Sequence, residues 1–106
     1  MLSYNAGAQL LKVLSDPTRL KIMDMISCGE LCACDILEGL TISQSTLSHH
    51  MKVLINCKLV IGRKEATWMY YSINLKTVEG LHKFIDSISQ PKDKCICDGI
   101  RKRDAR

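Results

Sequence analysis

The sequence predicts a mainly α-helical domain that carries a single β-hairpin. In four segments before residue 60, and again over residues 75–88, apolar residues recur at spacings of three and four, the period of amphipathic helices. Between these regions, over residues 60–73, β-branched and aromatic residues follow the period of two typical of strands. With 106 residues, 46% of them hydrophobic, the chain is predicted to form one domain.

Each of the first four helices has a recognisable start or end. The first is predicted over residues 5–15. Asp16 can cap the second helix, and Pro17 suits its first position, where the missing N–H costs nothing. The third helix lies within residues 29–40, and the fourth begins after its N-cap, Ser43. The part of the chain before residue 60 is thus predicted to form four helices in close succession.

The fourth helix has two chemically different faces. Its apolar residues recur at i, i+4, i+7 and i+8 and are Leu47, Met51, Leu54 and Ile55. The opposite face is short-chained, hydrogen-bonding and partly cationic; it carries Ser45, Ser48, His49 and Lys52. One face is therefore predicted to enter the core, and the other to remain available for binding.

The second half of the chain predicts a hairpin, a fifth helix and a tail. The hairpin spans residues 60–73, with a basic tip at Arg63-Lys64-Glu65-Ala66, and the last helix follows over residues 75–88. After Pro91 the apolar content is too low to fold alone. We therefore predict two regions: a folded domain, residues 1–90, and a flexible tail, residues 91–106, with a Cys-x-Cys pair.

Composition and the motifs of the chain limit the classes of protein to which it can belong. A net charge of +4 permits nucleic-acid binding, and no run approaches the roughly 18 apolar residues of a membrane span. The N-terminus shows no signal-peptide pattern, so we expect a cytoplasmic protein whose six cysteines are thiols or metal ligands. No glycine-rich phosphate loop and no CxxC beside a βαβ pattern is present, so we do not expect an enzyme.

The order of the elements predicts a winged helix-turn-helix with five helices and a two-stranded wing. In such folds the exposed face of the recognition helix, here the fourth helix, reaches base edges in the major groove. Side chains of the types that bond base edges are Gln44, Ser45, Thr46, Ser48 and His49. Side chains suited to phosphate are Lys52, Arg63 and Lys64.

Four segments resemble successive signatures of the ArsR/SmtB family of metal-sensing repressors. They are LSDPTRLKIMDMI, ELCACDIL, SQSTLSHHMKVLINCKLV and RKEATWMYYSI, and the similarity runs from about residue 8 to 88. The resemblance implies a homodimer with its first and last helices at the interface. It also implies that the metal-free protein binds double-stranded operator DNA, and that a metal or metalloid releases it.

The same resemblance implies that Cys32 and Cys34 are inducer ligands, which in the arsenic-sensing branch bind As(III) or Sb(III). The chain departs from the cadmium and lead branch, because no cysteine precedes Cys28, and from arsenic sensors with a third cysteine at the position of Leu37. A cadmium- or lead-responsive repressor remains the alternative, because thiolates prefer soft ions. The family's zinc sensors have Asp and His pairs on the last helix, where only His82 and Asp86 occur.

A second pair, Cys95 and Cys97, lies in the tail. We expect the site to contain Cys32, Cys34 and at least one of these two, from the same chain or from its partner. Cys28 is another possible third ligand, and Cys57 is expected to be a packing residue. A structural zinc site made from both pairs and a thiol redox enzyme are the other hypotheses.

Cys32 and Cys34 could not share an ion within a regular helix, because residues two apart point about 200° from each other. We therefore expect Cys32 at the N-cap, where the backbone is not helical and the side chain can turn toward Cys34. Asp35 would then stand at the third helical position and bond back to the N-cap N–H, completing a capping box.

Overall fold

A computed structural model describes residues 1–101, which form six helices and three strands. Their bounds are α1 Tyr4–Leu14, α2 Pro17–Ile26, β1 Leu31–Cys32, α3 Ala33–Glu38, α4 Gln44–Asn56, β2 Val60–Glu65, β3 Trp68–Ile73, α5 Leu75–Ser89 and α6 Asp98–Arg101. The five predicted helices are confirmed as α1 to α5. The short strand β1 and the single turn of α6 are additions to the prediction.

Side-chain caps set the starts of α2 and α4 as the sequence predicts. Asp16 accepts hydrogen bonds from the backbone N–H groups of Thr18 at 2.8 Å and Arg19 at 3.3 Å. Desolvation raises the pKa of Asp16, but these hydrogen bonds outweigh it, and the net shift is downward. Ser43 likewise accepts from the N–H of Thr46 at 3.1 Å. Local side-chain chemistry therefore fixes where α2 and α4 begin.

The wing is the antiparallel hairpin of β2 and β3, paired from Val60–Ile73 to Glu65–Trp68. The turn lies at residues 66–67, where Ala66 adopts a positive φ of 54°. The predicted tip at residues 63–66 was therefore wrong, because Arg63 lies within β2. Every residue of β2 after Val60 is exposed, so its charged run carries no burial pattern that would reveal a strand.

A third strand, β1, pairs with β3 to complete a sheet of order β1-β3-β2. Leu31 lies opposite Tyr71, and Cys32 lies opposite Tyr70. A strand of two residues is too short to show periodicity, so no sequence pattern predicts it. Its effect is to attach the segment that leads into α3 to the wing.

The core lies between the helices and one face of the sheet. The most completely buried side chains are Ile22, Ile26, Ile36, Met51, Leu54, Leu59 and Val60. Leu47, Met51 and Leu54 confirm the predicted buried face of α4, whereas Leu20 of α2 is 51% exposed. The terminal helices expose several large apolar residues, which are Tyr4, Leu11, Leu75, Ile85 and Ile88.

The tail of the described chain turns back toward the ends of the terminal helices. Cys95 and Ile96 share a cavity wall with Tyr4 of α1 and Phe84 of α5. The rest of the predicted tail, residues 102–106, lies outside the described residues. Among residues 1–101, no helix is both long and apolar enough to span a membrane.

Candidate functional site

The start of α3 brings Cys32 and Cys34 together. Cys32 is the N-cap residue, with an extended backbone at φ −81° and ψ 158°, so its side chain is free of the helical arrangement. The two sulfur atoms are paired as a disulfide, and the Cα atoms are 5.4 Å apart. The prediction that Cys32 leaves the helix and meets Cys34 is confirmed. In the thiol form, both sulfurs can serve one ligand.

The predicted capping box is wrong in its hydrogen bonds. The side chain of Cys32 makes no cap hydrogen bond, because its sulfur faces Cys34. Within the described residues, Asp35 forms no back-bond to the N-cap; a carboxylate oxygen lies within 4.8 Å of both sulfurs instead. Cys32 is buried, and Cys34 and Asp35 are exposed, so the cluster is open on one side.

An ion-pair network connects the segment before Cys32 to the wing. Glu30 accepts hydrogen bonds from Nη2 of Arg63 at 2.8 Å and from Nε at 3.1 Å. Glu65 accepts a third from Nη1 at 2.8 Å, and the guanidinium lies 4.7 Å from the ring centroid of Tyr70. The hydrogen bonds from Arg63 lower the pKa of Glu30, and those to Glu30 and Glu65 raise the pKa of Arg63.

This network engages Arg63, one of the two predicted phosphate contacts of the wing. Two carboxylates surround the guanidinium of Arg63, so their combined charge exceeds its own, and a DNA phosphate would have to displace Glu30. Lys64, the other predicted wing contact, is exposed. The wing is therefore less basic than its sequence indicates.

We expect Glu30→Gln to strengthen binding to any duplex DNA, because Arg63 would become available to a phosphate. The slope of log affinity against log salt should steepen by about 0.9, the value for one added phosphate contact. Because Arg63 lowers the pKa of Glu30, the wild-type pair persists at neutral pH and is lost as the pH falls below the ordinary value of 4.5.

Fluorescence anisotropy at several salt concentrations measures this slope. Glu38→Gln is the matched control, because Glu38 is exposed on α3 and has no ion pair among residues 1–101. Equal slopes for the two variants would show that Arg63 does not reach phosphate.

The predicted DNA-reading side chains lie on the exposed face of α4. Exposed positions are Gln44, Ser45, Thr46, Ser48, His49 and Lys52. At the helix start, the hydroxyl of Ser43 donates to that of Thr46 at 2.9 Å, so Thr46 is partly engaged. His50 is half-buried and accepts a hydrogen bond from Nε of Arg19 at 3.0 Å. That bond connects α2 to α4, the predicted recognition helix.

A surface cleft of about 380 Å³ connects the cysteine pair to the recognition helix. Cys34 and Leu37 of α3 form one side, Gln44 and Ser48 of α4 another, and Trp68 of β3 contributes from the wing. Sequence patterns missed this arrangement, because three separate elements form it. A ligand at Cys34 would share its surroundings with residues predicted to read DNA.

The tail cysteines form a second cluster. Cys95, Cys97 and Asp98 place their ligand atoms within 4.8 Å of one another, and no such cluster in residues 1–101 contains both cysteine pairs. The structure of one chain therefore does not bring the tail thiols to Cys32 and Cys34.

The remaining predicted residues lie apart from both clusters. Cys28 is exposed, with its sulfur 4.0 Å from Oγ of Ser27. Cys57 is half-buried and donates to the carbonyl of Leu54 at 3.4 Å, consistent with packing. His82 and Asp86 are exposed and belong to no cluster of three potential ligands in residues 1–101.

Comparison with known proteins identifies the family. The model of the family described as "Bacterial regulatory protein, arsR family" matches residues 16–61. The chain is also 41% identical to the arsenical resistance operon repressor of Staphylococcus aureus over 103 residues, covering 97% of this chain and 99% of that protein. The chain belongs to the ArsR family. The arsenical resistance operon repressor of Staphylococcus xylosus is 44% identical over 100 residues, covering 94% of this chain and 96% of that protein.

Solved structures agree with this ArsR-family assignment. The homodimeric winged helix-turn-helix DNA-binding domain from Mycobacterium bovis matches with a TM-score of 0.66 at 27% identity, covering 80% of this chain and 79% of that chain. The predicted winged helix-turn-helix is therefore confirmed, with β1 added to its sheet.

Proposed function

We propose that this chain is a metalloid-responsive transcriptional repressor that binds operator DNA as a homodimer and releases it when Cys32 and Cys34 bind As(III) or Sb(III). The observation that carries the proposal is the meeting of the two sulfurs at the start of α3, beside a cleft shared with the recognition helix. The two staphylococcal relatives, named as repressors of arsenical resistance operons, support it.

The donor set of the α3 cluster fits a thiophilic ion. Two thiolates are soft ligands and disfavour magnesium, calcium and manganese. A reducing cytoplasm would keep Cys32 and Cys34 as the thiols that such an ion requires. A contribution from Cys95 or Cys97 would need the tail of the partner subunit, because in one chain the tail thiols form their own cluster.

The proposed DNA contacts follow from exposure and chemistry. We assign base-edge contacts to Gln44, Ser45, Ser48 and His49, with Thr46 as a further hydroxyl at the helix start. We assign phosphate contacts to Lys52, Lys64 and, once it leaves Glu30, Arg63.

The homodimer would cover the apolar residues that α1 and α5 expose. Burying that surface would stabilise the pair. The homodimeric relative from Mycobacterium bovis supports this arrangement. Two recognition helices would then reach half-sites about one helical turn apart.

Two connections link the cysteine pair to DNA binding. Cys32 belongs to β1, which pairs with β3 of the wing, so a change at its sulfur acts on the strand beside Tyr70. Cys34 lines the cleft that Gln44 and Ser48 also line. A bound ion would release DNA if it favours a conformation with poor operator contacts, typically by about 1–3 kcal/mol of coupling.

Anisotropy of the reduced protein on labelled promoter DNA tests the proposal, with arsenite, antimonite, cadmium and zinc added separately. Release by arsenite or antimonite is expected. Release by cadmium alone would favour the cadmium- or lead-responsive repressor, and absence of DNA binding would favour a thiol redox enzyme. Trp68, the single tryptophan, lines the same cleft as Cys34, so its emission reports ion binding independently of DNA.

A further inference from the structure

We infer that Cys95, Cys97 and Asp98 form a second, self-contained metal site that takes a soft or borderline divalent cation such as Cd²⁺ or Zn²⁺. This inference goes beyond the proposed inducer site and does not depend on it. The first observation in its favour is a repeated sequence pattern: Cys-x-Cys-Asp occurs at residues 32–35 and again at residues 95–98. Two copies of one donor pattern indicate two separate chelating units rather than two halves of one site.

The tail cluster is folded around its donors. The backbone N–H of Cys95 donates to Oδ2 of Asp98 at 3.2 Å, and that of Cys97 donates to the sulfur of Cys95 at 3.4 Å. All three potential ligand atoms lie within 4.8 Å of one another.

The two clusters occupy different parts of the fold. Cys32 lies in β1 beside the wing. Cys95 lines a cavity of about 770 Å³ between the tail, the start of α1 and the end of α5, which Tyr4 and Phe84 also line. Metal binding in the tail would therefore act at the terminal helices rather than at the recognition helix.

The donor set selects the class of ion. Two thiolates and one carboxylate suit zinc-like cations, which accept Cys and Asp ligands and can fill a fourth position with water. The three ligands carry three negative charges when ionised, one more than a divalent cation neutralises. Magnesium and calcium, which prefer all-oxygen sites, should not compete.

Cadmium stoichiometry of the full-length reduced protein, measured by native mass spectrometry, tests the inference. We expect two Cd²⁺ per chain in the wild type, one in Cys95→Ser/Cys97→Ser and one in Cys32→Ser/Cys34→Ser. Cys28→Ser is the control and should keep two. One Cd²⁺ per wild-type chain, lost in either double variant, would reveal a single shared site and overturn the inference.

Asp98→Asn in the Cys32→Ser/Cys34→Ser background tests the third ligand, since that background leaves only the tail cluster. The Cd²⁺ affinity should fall by at least about tenfold, because the loss of even an outer-shell partner costs about 10–100-fold and Asp98 is inferred to be a direct ligand. Unchanged affinity would overturn the three-ligand site.

The release of operator DNA from the Cys95→Ser/Cys97→Ser variant on addition of arsenite distinguishes this inference from the proposed function. Release as in the wild type is expected if the tail site is independent of the inducer site. Loss of release in this variant would assign a tail thiol to the inducer site, which would overturn the inference and leave the repressor proposal standing. Absence of release in the wild type itself would overturn the repressor proposal alone.

Discussion

Replacing both Cys32 and Cys34 with serine is expected to abolish the release of operator DNA by arsenite and to leave operator binding by the metal-free protein unchanged. Both sulfurs of the α3 cluster are lost, and hydroxyl oxygen is a poor ligand for a thiophilic ion. The α3 start should tolerate the change. Cys32 makes no cap hydrogen bond, whereas serine is a preferred N-cap residue.

Anisotropy of labelled operator DNA with increasing arsenite measures this effect, and thermal unfolding checks that the variant folds. The matched control is Cys28→Ser/Cys57→Ser, which removes two cysteines that belong to neither cluster and should retain release. If arsenite released operator DNA from the Cys32→Ser/Cys34→Ser variant as it does from the wild type, the assignment of these residues as inducer ligands would be contradicted.

A second large effect is expected for Ser48→Ala with His49→Ala on the exposed face of α4. Operator affinity should fall by at least about tenfold, because a good contact to a base edge contributes roughly 1–3 kcal/mol. Binding to DNA of unrelated sequence should change little, because phosphate contacts dominate it. Both side chains are exposed, so stability should be nearly unchanged.

Competition between operator and random duplex DNA measures this loss of specificity. The Cd²⁺ stoichiometry of the variant should equal that of the wild type, because neither residue belongs to a cysteine cluster. Operator affinity equal to that of the wild type would show that this face of α4 does not read the operator.

The features of the fold that were predicted correctly depend mostly on residues that lie close together in the sequence. Asp16 and Ser43 are caps, and a cap acts within three residues of its own position. The apolar stripe of α4 is equally local, and its members Leu47, Met51 and Leu54 are buried as predicted. The position of Cys32 at an N-cap also follows from its immediate neighbours.

The errors arose where chain segments distant in sequence come together. The hairpin turn was misplaced because the charged run of β2 is exposed, and its strand conformation depends on pairing with β3. Strand β1 was missed because two residues are too few to show periodicity, and its conformation likewise depends on pairing with β3. The ion pair between Arg63 and Glu30 was likewise invisible in the sequence, because the two residues lie 33 positions apart.

The candidate sites also combine features that the sequence indicates with features that only the tertiary structure shows. Cysteine spacing indicated both pairs, and the repeated Asp35 and Asp98 were visible in the sequence, although only the cysteines were predicted to be metal ligands. Separation of the pairs into two clusters required the tertiary structure, because a tail on residues 91–101 can reach many places before packing decides one.

The sequence by itself determined the five predicted helices, the hairpin, the exposed face of α4 and the thiol chemistry, because periodicity, capping and side-chain type act over a few residues. Only the tertiary structure decided that Cys34 shares a cleft with Gln44 and Trp68, that β1 attaches Cys32 to the wing, and that Glu30 neutralises Arg63. These contacts join residues far apart in the chain, and which of them form depends on how the whole core packs.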